Sequence, residues 1–134
     1  METQNLWPDF PTREIRSPKA ILNEQGQYLR ERTNNILSAS VVSSSVPNPE
    51  RIQYNFFIVA PLLNGYRYNL LTISYDLVGS YPLYLSWRYE GESKKTIDNE
   101  DEFIKELGEI FNDQTTINIV SSLLSQSRSE QTSE

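Results

Sequence analysis

Neither cysteine nor histidine occurs among the 134 residues. Their absence removes nucleophile systems built on Ser-His-Asp or Cys-His, zinc sites with nitrogen and sulfur ligands, histidine-ligated haem, iron–sulfur clusters and disulfides. The five glycines, at 26, 65, 79, 91 and 108, stand singly, so no loop has the glycine run that cradles phosphate. No S-x-x-K pattern supports Ser-Lys chemistry. No apolar run approaches the ~18 residues of a membrane helix, and the longest, Phe56 to Leu63, is broken by Pro61. Met1 to Phe10 is acidic and polar, without the basic start and apolar stretch of a secretory signal, and no N-x-S/T acceptor occurs. A cysteine-free chain is indifferent to redox state, and the expected location is the cytoplasm.

The length suits one domain, able to bury roughly two thirds of its unfolded surface without a metal or disulfide staple. Twelve basic and 18 acidic side chains give 12 − 18 = −6. The excess is not spread evenly. Residues 1–33 sum to 5 − 5 = 0, residues 34–89 to 3 − 2 = +1 and residues 90–134 to 4 − 11 = −7. An acidic third disfavours phosphate backbones, and Glu14, Glu24 and Glu31 interrupt the basic residues of the first third. Nucleic acid is therefore not an expected partner.

Periodicity gives a helix, four strands and two more helices. Ser17-Pro18 is a cap followed by a first-turn proline, and Ile21, Leu22, Gln25, Tyr28, Leu29 and Arg32 recur at helical spacing, predicting a helix over 18–32. Residues 35–46 alternate as a half-exposed strand, and residues 52–60 form a second that ends at Pro61. After the Asn64-Gly65 turn, residues 66–77 form a third strand, with Leu71, Ile73, Tyr75 and Leu77 on one face. Beyond Gly79-Ser80, a fourth places Leu83, Leu85, Trp87 and Tyr89 opposite Tyr84, Ser86 and Arg88. The Tyr81-Pro82 turn suits a cis bond. Residues 90–96 read as a charged loop. Asp98 or Asn99 caps a second helix ending near Asn112, and Asp113 a third with Ile117, Val120 and Leu124 facing inward. The fold expected is an α+β two-layer sandwich: a four-stranded antiparallel meander under one N-terminal and two C-terminal helices, in the order α-β-β-β-β-α-α. Residues 1–124 make one domain, beginning with an extended segment over 1–16 that packs its aromatics on the body. Residues 125–134 carry no apolar side chain and read as a disordered tail.

Ten of the fifteen aromatics lie in residues 54–89. Strands favour such residues for packing, yet an exposed tyrosine-rich sheet face also makes a protein-binding surface. The candidate binding residues are Tyr66, Tyr68, Tyr84 and Trp87, with Arg67 and Arg88; Arg67, Asp76 and Arg88 also suit a cross-strand charge set. The order of elements does not fit an RNA-recognition domain. Asp98, Glu100, Asp101 and Glu102 suit a helix N-terminus better than a calcium loop, whose sixth-position glycine is here Phe103. No catalytic residue, metal ligand or cofactor is assigned. The expected function is a non-catalytic protein–protein interaction module, comparable in size and charge to immunity proteins or secretion chaperones, binding through the aromatic face or an edge strand. A basic partner would be steered by the acidic third. An alternative is a small-ligand domain with an aromatic pocket between sheet and helices. A weaker one is a hydrolase using Asp76, Glu90 or Glu50. Residues 36–46 carry no charge, so as a sheet edge they would lack the usual protection and favour a homodimer.

Overall fold

The computed structural model describes residues 2–10, 16–87 and 93–131. Helix α1 (Pro18–Arg32) begins where the sequence predicts, with the Ser17 side chain accepting from the Ala20 N–H at 3.1 Å. Thr33 then directs the chain into the sheet. Its hydroxyl donates to the Leu29 carbonyl at 3.0 Å and accepts from the Leu37 N–H at 3.1 Å, while Asn34 and Asn35 turn through positive φ of 52° and 66°. Strands β1 (Ser38–Ser44), β2 (Arg51–Ala60), β3 (Tyr66–Asp76), β4 (Leu83–Trp87) and β5 (Ser93–Ile97) form one antiparallel sheet in sequential order. A short 3-10 turn, Pro61–Leu63, precedes β3, and Tyr81-Pro82 is cis.

The sheet has five strands, not four. Segment Ser93–Ile97 was expected to be mostly loop because Lys94 and Lys95 break any apolar alternation. It pairs along β4, with Ile97 opposite Leu83, and an outer strand needs only such partial burial.

Buried strand residues fall on one side: Tyr54, Phe56, Ile58 and Ala60 of β2; Leu71, Ile73 and Tyr75 of β3; Leu83 and Leu85 of β4; and Ile97 of β5. The helices cover this side. Helix α1 lies over β1, closely enough that a Cβ added at Gly26 would stand 2.9 Å from the Ala39 Cβ. Helix α2 (Glu100–Phe111) lies over β5 and buries Phe103, Leu107 and Ile110. Asn99 caps it, accepting from the Glu102 N–H at 2.9 Å, and Glu102 accepts in return from the Asp98 N–H at 3.2 Å. Helix α3 (Gln114–Gln131) packs on the Pro61–Leu63 turn and β2.

Helix α3 departs from the sequence reading twice. Its inner face carries Thr116, Leu123 and Ser127, whereas Ile117 is 41% exposed. Val120 and Leu124 of the predicted stripe do pack, partly buried, against the core, but the most buried positions include two hydroxyl residues that an apolar stripe does not select. The helix also runs through the supposed tail to Gln131, because Ser127 continues the buried face one turn past Leu123. Residues 132–134 lie outside the described residues. At the other end, the aromatics of residues 2–10 do not pack on the body. Leu6, Trp7 and Phe10 are 82%, 75% and 68% exposed.

Candidate functional site

Pairing with β2 decides which face of the sheet each predicted residue occupies. Between Phe56 and Phe57 the register slips, so that Leu70 is an extra residue in β3. This bulge reverses the parity of everything N-terminal to it. Tyr68 stands opposite Ile58 and Tyr66 opposite Ala60, on the helix-covered side, while Arg67 stands opposite Val59 on the open side. Trp87 pairs with Leu71 and packs half-buried against the core. Of the six candidates, Tyr84 and Arg67 therefore share the open face; Tyr66, Tyr68 and Trp87 do not. Arg88 lies outside the described residues.

The open face is polar and internally bonded. Ser44 accepts from Gln53 Nε2 at 2.8 Å and Asn55 Nδ2 at 3.2 Å, and Thr72 donates to Asn55 Oδ1 at 2.8 Å. Arg51 binds Asp76 at 2.9 Å, donates to Ser74 Oγ at 3.0 Å and covers the Tyr84 ring at 4.9 Å. Arg67 lies over the Phe57 ring at 4.1 Å. A hollow of about 490 Å³ remains beside Tyr84, Thr72, Ser74 and Lys94. Its Tyr84 and Phe57 rings carry guanidinium groups and its Gln53 and Asn55 amides are engaged, while the Asn69 Oδ1, opposite Phe57, has no hydrogen-bond partner among the described residues.

On the helix-covered side, two cavities lie beside α3. A groove of about 560 Å³ lies between the start of β3 and α3, lined by Leu63, Tyr66, Tyr68, Ile119, Ser122 and Leu123. It occupies the position expected for an aromatic pocket between sheet and helices. A smaller cavity of about 220 Å³, walled by Phe56, Ile58, Leu70, Phe111 and Val120, lies deeper and includes the buried Thr116. The Thr116 hydroxyl has no hydrogen-bond partner among the described residues.

The two sheet edges differ sharply. Strand β1 has the sequence SASVVSS, with no charge and no proline, and among the described residues pairs only with β2. Val42 projects from it toward the open face, 37% exposed. Strand β5 carries Lys94 and Lys95, and Lys95 reaches back to Glu106 of α2 at 2.8 Å. The Glu106 carboxylate, by hydrogen bond and charge, holds the Lys95 ammonium above its ordinary range. One edge is thus guarded by charge and the other is not.

Among the described residues, no group of acidic side chains converges as a metal site, and no helix is long and apolar enough to cross a membrane. The chain matches no known family model, no curated protein sequence and no solved structure.

Proposed function

We propose that this protein is a non-catalytic interaction module that takes up an extended segment of a partner protein as an added strand at β1. The supporting observation is the asymmetry of the sheet edges. The outer edge of β1, a strand of seven uncharged residues, leaves the backbone groups of its alternate residues unpaired by any strand among those described, while lysines protect β5. A strand edge supplies unpaired N–H and C=O groups that bind any extended chain, and alternate side-chain positions select among them. The open face flanks that edge as a largely hydrogen-bonded polar platform, which suits a rim around a bound strand better than a binding centre.

Photo-crosslinking in extracts of the source cell tests this reading. A photoreactive residue replacing Ser40 on β1 should give a discrete adduct whose captured peptide contacts β1, whereas one replacing Lys94 on β5 should not. Val42→Lys copies the guard of β5 onto β1 and should lower the Ser40 adduct severalfold, with the circular dichroism spectrum unchanged. Equal capture at both edges, or capture at Lys94 alone, would contradict the proposal.

A further inference from the structure

The N-terminal segment and the groove beside α3 are two unsatisfied apolar surfaces of one chain. Segment 2–10 presents Leu6, Trp7 and Phe10 to solvent, with Trp7 and Phe10 rings 6.2 Å apart. Pro8 restricts its backbone to extended conformations, which lowers the entropy lost on docking. The groove has apolar walls from Leu63, Tyr68, Ile119 and Leu123 and is large enough for bulky rings. The geometry points to an exchange of arms between two copies, in which Leu6, Trp7 and Phe10 of each chain fill the groove of the other. This inference is independent of the β1 reading.

Reach argues for a second copy rather than the chain's own groove. Helix α1 starts at the far end of β3. The Lys19 backbone lies beside the Tyr75 phenol, the Lys19 ammonium lies over the Tyr54 ring at 5.3 Å, and Arg16 faces Glu100 at 3.9 Å. From Tyr75 back to Tyr68 and Tyr66 the strand covers about 23 to 30 Å at its ordinary rise. From Arg16 to Phe10 a fully extended chain covers at most about 20 Å, and to Trp7 about 30 Å. The Phe10 backbone therefore stops short of its own groove, and Trp7 reaches the Tyr66 end only on a nearly straight path. A partner arriving from outside has no such limit. Each buried aromatic contributes about 150–250 Å², so two arms with two rings and a leucine apiece bury on the order of 1,000 Å² before the groove surface is counted. With both surfaces included, that reaches the size of stable interfaces, roughly 1,200–2,000 Å².

Light scattering of the full chain across micromolar concentrations tests the exchange. A dimer is expected, and in a Trp87→Phe background the Trp7 emission should shift to the blue as the dimer forms. Trp7→Ala with Phe10→Ala should weaken dimerisation by about tenfold or more. Ser122→Glu, at an exposed position on the groove wall, should do the same while leaving the core intact. Mixing the arm variant with the groove variant should restore one of the two contacts and recover part of the dimer. A monomeric wild-type chain overturns the inference, as does a blue-shifted Trp7 that ignores concentration, which would mean docking within the chain. A dimer that survives both sets of substitutions also overturns it. If that surviving dimer were lost in Val42→Lys, β1 pairing would remain supported.

Discussion

Thr33 shows how much one hydroxyl can decide. It serves as acceptor for the Leu37 N–H inside the core, where Leu37 is fully buried. Thr33→Val keeps the shape and removes that acceptor, so the mutant should lose about 1–3 kcal/mol in urea unfolding. Glycine offers a paired comparison. At Gly26 an added methyl meets the Ala39 Cβ at 2.9 Å, whereas at Gly108 it meets nothing within 4 Å. Gly26→Ala should cost about 1–2 kcal/mol after its helix-propensity gain is counted, and Gly108→Ala should gain about 0.5–1 kcal/mol. Tyr81 governs the alkaline limit. Burial, with Glu100 nearby, pushes its phenol from 10.0 up to about 12, and its hydroxyl has no hydrogen-bond partner among the described residues. Tyr75, through burial, and Lys95, through Glu106, are raised as well. Between the unfolded and folded values the native state binds more protons, so stability should fall as pH rises from 10 towards 12. Tyr81→Phe should leave the thermal midpoint at pH 7 equal or higher and make the alkaline fall shallower, as melting curves would show. The caps were legible at this scale: Ser17 and Asn99 are small oxygen-bearing residues placed before apolar stripes, and both accept the bond expected of them.

At the scale of elements, legibility depended on whether a segment's own side chains carried its burial pattern. Helix α1 and strands β2 and β3 announce themselves because Ile21, Leu22, Phe56, Ile58, Leu71 and Ile73 repeat at the right period and are buried. Strand β5 does not, since its pairing comes from backbone bonds to β4 and one apolar residue, Ile97. The end of α3 was hidden for the related reason that its last buried contact is a serine. The bulge at Leu70 is the costliest omission for function. One inserted residue moves Tyr66 and Tyr68 from the open face to the groove and so replaces an aromatic sheet face with a polar one. Nothing local marks it, because Leu70 and Leu71 are both apolar and both buried. The unguarded edge, by contrast, was visible in the neutral run over residues 36–46, and the structure places that run's strand at the outside of the sheet.

Across the whole molecule, the acidic cluster and the proposed binding edge are separated. Five of the eleven acidic residues of the last third lie on α2, whose first turn is Glu100, Asp101 and Glu102, and α2 lies over β5. From β5 to β1 the sheet spans four strand spacings, about 19 Å, or some two Debye lengths at physiological salt. Steering of a basic partner by that acidic cluster, expected from composition, would act at the wrong edge. Association at β1 should accordingly change its on-rate by less than about threefold between low and physiological salt in stopped-flow experiments, whereas a steered encounter changes far more. Hydrogen exchange on the full chain tests the central claim most directly, by following the amides of Ser38–Ser44 and Ser93–Ile97 with and without the partner captured through Ser40. The account predicts strong added protection within Ser38–Ser44 and none within Ser93–Ile97; protection confined to Ser93–Ile97, or unchanged exchange at both edges with the partner bound, would contradict it.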